Sequence, residues 1–267
     1  MLTQRQTDLF AADHSGRLDD VSPRHLAGPG DPRHVTHALA AAGWALRSDA
    51  LSPVIHLVSP DGLHQLRYGP TLTSMTWRLD GTHADGHWYA SFTSVPAEIL
   101  TGFTDGLLIA APAESPPPVW DVLTGAGWTH TRSTTGNEAR SPDGAIHLSH
   151  QPITGKEDPY FGWQITVSTE RDHGPPLWTA WIAHFPPPHL VHGLVTALTD
   201  PAPVQRNWHE PEGHYRARRT ESPVTPKQYA RAHRDRIDTA RAHVRAATRT
   251  LTATPPSPAP APVRQAR

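Results

Sequence analysis

The tetrapeptide Ser-Pro-Asp-Gly occurs twice in this chain, opening "SPDGLHQLRYGP" at Ser59 to Pro70 and "SPDGAIHLSHQP" at Ser141 to Pro152. Each time it runs into a short alternating segment and ends on a proline. Serine, proline, aspartate and glycine in that order suit the four positions of a type I turn. Ser59, Pro60, Asp61 and Gly62 are therefore read as a structural turn, and Ser141, Pro142, Asp143 and Gly144 as its second copy. A hairpin follows, with "HQLRY" as the returning strand.

The tetrapeptide marks a longer repeat. "ALAAAGW" (Ala38 to Trp44) is echoed by "VLTGAGW" (Val122 to Trp128), "MTWRL" around Trp77 by "FGWQI" around Trp163, "HWYASF" at Trp88 by "LWTAWI" at Trp178, and "PAEILTGFTDGL" from Pro96 by "PPHLVHGLVTAL" from Pro187. The offset between copies drifts from 82 to 91 residues, as small loop insertions would make it. That length is too great for a solenoid unit and is the size of a small domain.

Both copies predict one element order. Asp31 and Pro32 suit the start of a helix, and Val35, Ala38, Leu39 and Ala42 fall on one helical face. Val119, Val122, Leu123 and Ala126 repeat that spacing, and Gly43 and Gly127 stand where each helix would end. Strands follow over "PVIHLV", "HQLRY", "SMTWRL" and "WYASF", with Trp77 and Trp163 on alternating faces. A closing helix carries Ile99, Leu100, Phe103 and Leu107, matched by Leu190, Val191, Leu194 and Leu198. The predicted fold class is α+β: two tandem repeats of a small α-β-β-β-β-α domain with an antiparallel sheet, open to packing as a pseudo-dimer, plus a C-terminal helix. In copy two the first strand would be the polar "TGNEAR", either lost or a bare edge.

The run "SPRHLAGPGDPRHVTHALAAAGW", then "LVSPDG", then "WYASFTSVPAEILTGFTDGL", resembles the actinomycete family called domain of unknown function 317, or the SPDY domain. The resemblance covers roughly Val21 to Arg206 in two tandem copies, with Gly62 and Gly144 in place of the tyrosine of the name. It implies a bacterial, Streptomyces-type cytoplasmic setting, and no activity, cofactor or catalytic residue. The predicted organisation is a disordered N-terminus over residues 1–20, SPDY-type domains over 21–112 and 113–206, a linker over 207–226, a basic helix over 227–251 and a proline-rich disordered tail over 252–267.

Composition narrows the chemistry. The formal net charge is −1, so bulk charge announces neither a nucleic-acid nor a membrane partner. With no cysteine there is no disulfide, thiolate metal site or cysteine nucleophile. The N-terminus has no apolar run, so neither a signal peptide nor a membrane span is expected. The 19 histidines, fully protonated, would carry the charge from −1 to +18, so binding to a polyanion should strengthen as pH falls.

Histidines one turn apart (His34 and His37; His189 and His192, with His184 before them) could share a metal, but no motif supplies the third ligand. Asp61 and Asp143 could be a carboxylate pair, but the turn explains both and no repeated partner accompanies them. No catalytic residue, metal or cofactor is predicted. Six tryptophans are repeat-matched and read as core; Trp120, Trp181 and Trp208 are unmatched and suit contact surfaces. The helix after Lys227 carries one lysine and six arginines against Asp235 and Asp238, with Ile237, Ala240, Val244, Ala247 and Leu251 on a narrow stripe. Arg216, Arg218, Arg219, Lys227, Arg231, Arg234, Arg241 and Arg245 are the candidate phosphate contacts. The leading expectation is a non-catalytic scaffold acting through a protein partner or self-association, and the alternative is nucleic-acid binding through the arginine helix.

Overall fold

The computed structural model describes residues 2–49, 51–70, 75–83, 86–109, 111–134, 136–151, 162–169, 175–210 and 213–253, the side chains of 247, 248 and 250–253 excepted. Ahead of the repeats lie α1 (Gln4–Asp13), β1 (Leu18–Ser22) and a 3-10 turn at Arg24–Leu26. Copy one runs α2 (Arg33–Ala41), β2 (Ala45–Leu46), β3 (Ile55–Val58), β4 (His64–Pro70), β5 (Met75–His83), β6 (Gly86–Thr93) and α3 (Ala97–Asp105). Copy two runs α4 (Val119–Gly125), β7 (Thr129–Ser133), β8 (Gly136–Arg140), β9 (Ile146–Gln151), β10 (Gly162–Val167), β11 (Trp178–His184) and α5 (Pro188–Thr199). The chain continues through β12 (Val204–Asn207), β13 (Arg218–Glu221) and α6 (Pro226–Ala253).

The two copies share one ten-stranded sheet, in the order β2-β3-β4-β5-β6-β11-β10-β9-β8-β7. That order is the same read from either end with the copies exchanged, because β6 pairs antiparallel with β11 at the centre. Ser91 pairs with Trp181 there, and these are equivalent positions of the two repeats. Behind the sheet the closing helices α3 and α5 cross at Gly102 and Gly193, again equivalent positions. A Cβ built on Gly102 would lie 2.3 Å from the Gly193 carbonyl oxygen, and one on Gly193 would lie 2.2 Å from the Gly102 carbonyl oxygen. A pseudo-two-fold axis therefore runs through Ser91/Trp181 in the sheet and Gly102/Gly193 in the helices. Gly102→Ala should lose about 1–3 kcal/mol through overpacking, whereas Gly125→Ala, with nothing within 4 Å of the new methyl, should be neutral. Urea midpoints of the two variants test this.

The core lies between the sheet and its helices. Trp88, Phe92, Leu79, Ile99, Leu100 and Phe103 are fully buried in copy one, and their equivalents Trp178, Ile182, Ile165, Leu190, Val191 and Leu194 are buried in copy two. Each such large side chain contributes roughly 1.5–3 kcal/mol by burial. Trp44, Trp128, Trp77, Trp88 and Trp178 are buried, and Trp163 packs against the same core.

Several expectations need correction. Each copy carries five strands, because the residues after the first helix add a short edge strand, β2 or β7. "TGNEAR" is neither lost nor an edge: β8 is paired on both sides, by β7 and β9, and buries Ala139. Residues 1–20 were expected to be disordered, yet Gln4–Asp13 is helical, with Thr3 and Gln6 forming a reciprocal cap. The expected linker 207–226 contains β13, which joins β12 and β1 in a three-stranded sheet. Its strands are polar, and long-range pairing rather than apolar alternation holds them.

The asymmetry between copies comes from α6, which packs along α2. Ala42 at the end of α2 is buried, while its equivalent Ala126 is exposed. Tyr229, Ala230, His233, Ile237 and Ala240 of α6 are buried and Val244 is half-buried; Ala247 and Leu251 lie outside the described side chains. The expected tail 252–267 lies outside the described residues beyond Ala253.

Candidate functional site

Antiparallel pairing fixes which side chains share the uncovered face of the large sheet, opposite α3 and α5. One row crosses nine of its ten strands: His56, Arg67, Arg78, Ser91, Trp181, Gln164, Ser149, Glu138 and Thr131, each paired with the next. Trp181, at the pseudo-two-fold, is 36% exposed. Tyr89, one row away, meets it edge to face, with ring centroids 6.2 Å apart. Arg67 and Arg78 stand exposed side by side on the copy-one half, and Glu138 on the copy-two half. Because Ser91 and Trp181 are equivalents, the axis places one large aromatic on the shared centre and gives it room through a small partner. Neither copy makes this patch alone.

The two Ser-Pro-Asp-Gly segments are the predicted turns. In each, the serine hydroxyl donates to the aspartate, at 2.5 Å (Ser59 to Asp61) and 2.6 Å (Ser141 to Asp143). The glycine amide donates to the serine carbonyl, at 3.0 and 2.9 Å, and Gly62 and Gly144 take φ of 74° and 72°. Burial pushes Asp61 up, but the Ser59 hydroxyl and Leu63 amide outweigh it and hold the carboxyl below its usual range. The copies differ at one point. His25 Nε2 donates to Asp143 Oδ2 at 2.9 Å and, with Ser141, holds that carboxyl well below the usual range. The His25 carbonyl also accepts from Trp178 Nε1 at 2.9 Å. The second turn thus anchors the leader before copy one.

The predicted basic residues fall on two elements. Arg219 is held within β13, donating to Asn207 and Glu210 carbonyls and pairing with Asp19 at 3.4 Å. Arg216 donates to the Thr169 carbonyl at 3.1 Å, and Arg218 is exposed on β13. On α6, Lys227, Arg231, Arg234 and Arg245 are exposed and Arg241 half-exposed. Arg231 pairs with Asp235 at 3.7 Å and Arg241 with Asp238 at 3.0 Å. Acidic residues therefore interrupt the basic face. Arg236, not singled out by the sequence, holds the helix to the body by a two-pronged bond to Asp105 and a 3.2 Å bond to the His34 carbonyl.

Where α1, α2 and α6 meet, histidines form a buried cluster. His37 Nδ1 and His233 Nε2 share a hydrogen bond of 3.1 Å, and His34 Nε2 meets the Tyr229 hydroxyl at 2.7 Å. Phe10 stacks on His233 at 3.7 Å and on His14 at 4.3 Å. Burial pushes His37 down to about 4 and His233 to about 3, and lowers His34 as well. Among the described residues no group of three or more histidines and carboxylates is placed to hold a metal ion, and no helix is long and apolar enough to cross a membrane.

A family model described as SPDY, domain of unknown function (DUF317), matches residues 58–114 and 140–204. The chain carries two tandem SPDY domains. No curated protein and no solved structure matches it. Each SPDY match starts beside the Ser-Pro-Asp-Gly turn and runs through the closing helix, so it takes in β6 with α3, and β11 with α5. Those are the elements that meet across the axis. The surface residues that sequence reasoning missed, Arg67, Arg78 and Tyr89, lie in the first SPDY match. The signal was present in the strand alternation, but only the register across five strands per copy brings them beside Trp181.

Proposed function

We propose that the tandem SPDY chain is a non-catalytic scaffold whose partner is another protein, bound on the uncovered sheet face. The observation that carries this reading is the patch of Trp181, Tyr89, Arg67 and Arg78 at the centre of a rigid sheet. Tryptophan, tyrosine and arginine supply most hot-spot energy at protein interfaces. The surrounding positions are small and polar, Ser91, Thr93, Thr179 and Gln164, which suits a rim. The fitting partner presents an apolar projection for Trp181 with carboxylates facing Arg67 and Arg78. A cytoplasmic setting in a Streptomyces-type actinomycete belongs to the same reading; the alanine-rich composition with 29 prolines supports it.

The test is capture from a native lysate in about 0.5 M salt, where exposed charge pairs are screened, followed by titration of the purified partner. The expected result is a partner whose affinity falls more than about tenfold in Trp181→Ser/Arg78→Glu, a loss of hot-spot size, and is unchanged in Arg231→Glu. Equal affinity in both variants would overturn the sheet-face reading. Nucleic-acid binding is the alternative, favoured by the outward Lys227, Arg234 and Arg245. It predicts the reverse pattern: binding to labelled DNA or RNA duplexes that weakens steeply with salt and with truncation at Ser222.

A further inference from the structure

On the opposite side of the molecule from the sheet patch, the axis ends in a cavity. It has a volume of about 570 Å³ and lies between α3, α5, α6 and the segment joining the two repeats. A small-molecule site typically has roughly this volume, an apolar lining and a few convergent polar groups. Here Leu108, Ile109, Pro112 and Pro116 of the joining segment form one apolar wall, and Gly102, Gly193 and Ala240 form the floor and roof. The glycines that let α3 and α5 touch also line the cavity, and no side chain rises from them.

The two charged groups of the described lining, Asp105 and Arg236, neutralise each other. Asp105 is the single carboxylate among the described lining residues, and Arg236 grips it with both terminal nitrogens. His189 Nε2 donates to the Gly106 carbonyl at 3.2 Å. His192 of α5 and His243 of α6 line the same space, and among the described residues neither ring makes a hydrogen bond within the protein. Arg236 and Asp105 satisfy each other, so the described lining offers a cation no free carboxylate, and what remains is the two imidazoles from facing helices. They are well placed to donate to an anion, and a charge-assisted bond is about twice as strong as a neutral one.

We propose that this cavity binds a small amphipathic carboxylate, with its apolar body against Leu108, Ile109 and Pro112 and its head group between His192 and His243. The site is made by both repeats and α6 together, and it is independent of the protein-binding face. A ligand here would bridge α6 to the closing helices and so stabilise the docked position of α6 by mass action.

The probe is octanoate, kept below its micellar concentration, titrated calorimetrically into the full chain. The expected result is saturable one-to-one binding. Affinity should fall at least about tenfold in His192→Gln/His243→Gln, a loss of hydrogen bonds to a charged group, and disappear in Ile109→Trp, which fills the cavity from its exposed rim. Circular dichroism on both variants confirms that they fold; Ile109 is 45% exposed, so its replacement leaves the core alone. Octanol, the neutral analogue, should bind more weakly. No saturable heat with octanoate would overturn the proposal. So would equal binding of octanol and octanoate, or binding that survives Ile109→Trp.

Discussion

Glu98→Ala is expected to cost about 3–5 kcal/mol, the usual penalty for stranding a buried charge. Arg206 is 2% exposed, and its two terminal nitrogens meet the Glu98 carboxylate at 2.6 and 2.9 Å. The same guanidinium donates to the Ala27 and Gly28 carbonyls, each at 3.2 Å. It thus joins β12, after copy two, to α3 of copy one and to the leader. Without Glu98 the cation stays buried with carbonyl partners only. Replacing both partners, in Glu98→Leu/Arg206→Met, should be much milder than Glu98→Ala, because no charge is left unpaired. Chemical denaturation of the single and double variants checks this. A single variant as stable as the wild type would show that the pair does not tie the repeats together.

Acid should release α6. His37 and His233 have folded pKa values of about 4 and about 3 against 6.5 for the free side chain. Burial is the main cause for both, so the folded state holds them neutral. Between those values and 6.5 the unfolded or undocked chain binds more protons than the native one. Their contribution to stability is therefore complete above about 6.5, falls as pH drops below it, and is lost near the folded values. The shift of His37 alone corresponds to roughly 3 kcal/mol. Facing groups modulate this: Arg33 and Arg236 oppose protonation, while Asp31 favours it. Hydrogen exchange of α6 at pH 7.5 and pH 4.5 reads the effect. The expected result is loss of protection over residues 226–246 at the lower pH, reduced in His233→Leu and abolished in His37→Leu/His233→Leu. Equal protection at both pH values would contradict it.

The repeat was the most legible feature, since turn, helix end and tryptophan positions all recur at a nearly constant offset. Each marks a local constraint: an Asp-Gly turn, a glycine after a helix, an apolar face. The small sheet was not legible. β1, β12 and β13 are short and polar, and Leu18 and Val21 are too few to show an alternation; pairing partners about 190 residues away hold them. The helix α1 looked disordered because Thr7 and Phe10 are its buried residues, too few to mark an apolar face, and the rings that Phe10 stacks on, His14 and His233, are histidines. The basic helix was legible as a helix, and the extent of its docking was not. Tyr229 and His233 extend the stripe toward its N-terminus, and neither scores as an aliphatic position.

The Trp181 patch and the cavity of about 570 Å³ both sit on the pseudo-two-fold, so the roles proposed for them require both SPDY domains. This depends on β6 and β11 being one continuous, cooperative sheet. Native-state hydrogen exchange on the full chain, over a series of low denaturant concentrations, tests that dependence most directly. Amides of β6 (Gly86–Thr93) and β11 (Trp178–His184) should open together with α3 and α5, at one free energy close to that of global unfolding. Separate opening of β11 at a distinctly lower free energy, with β6 still protected, would mean two independent domains and no shared site.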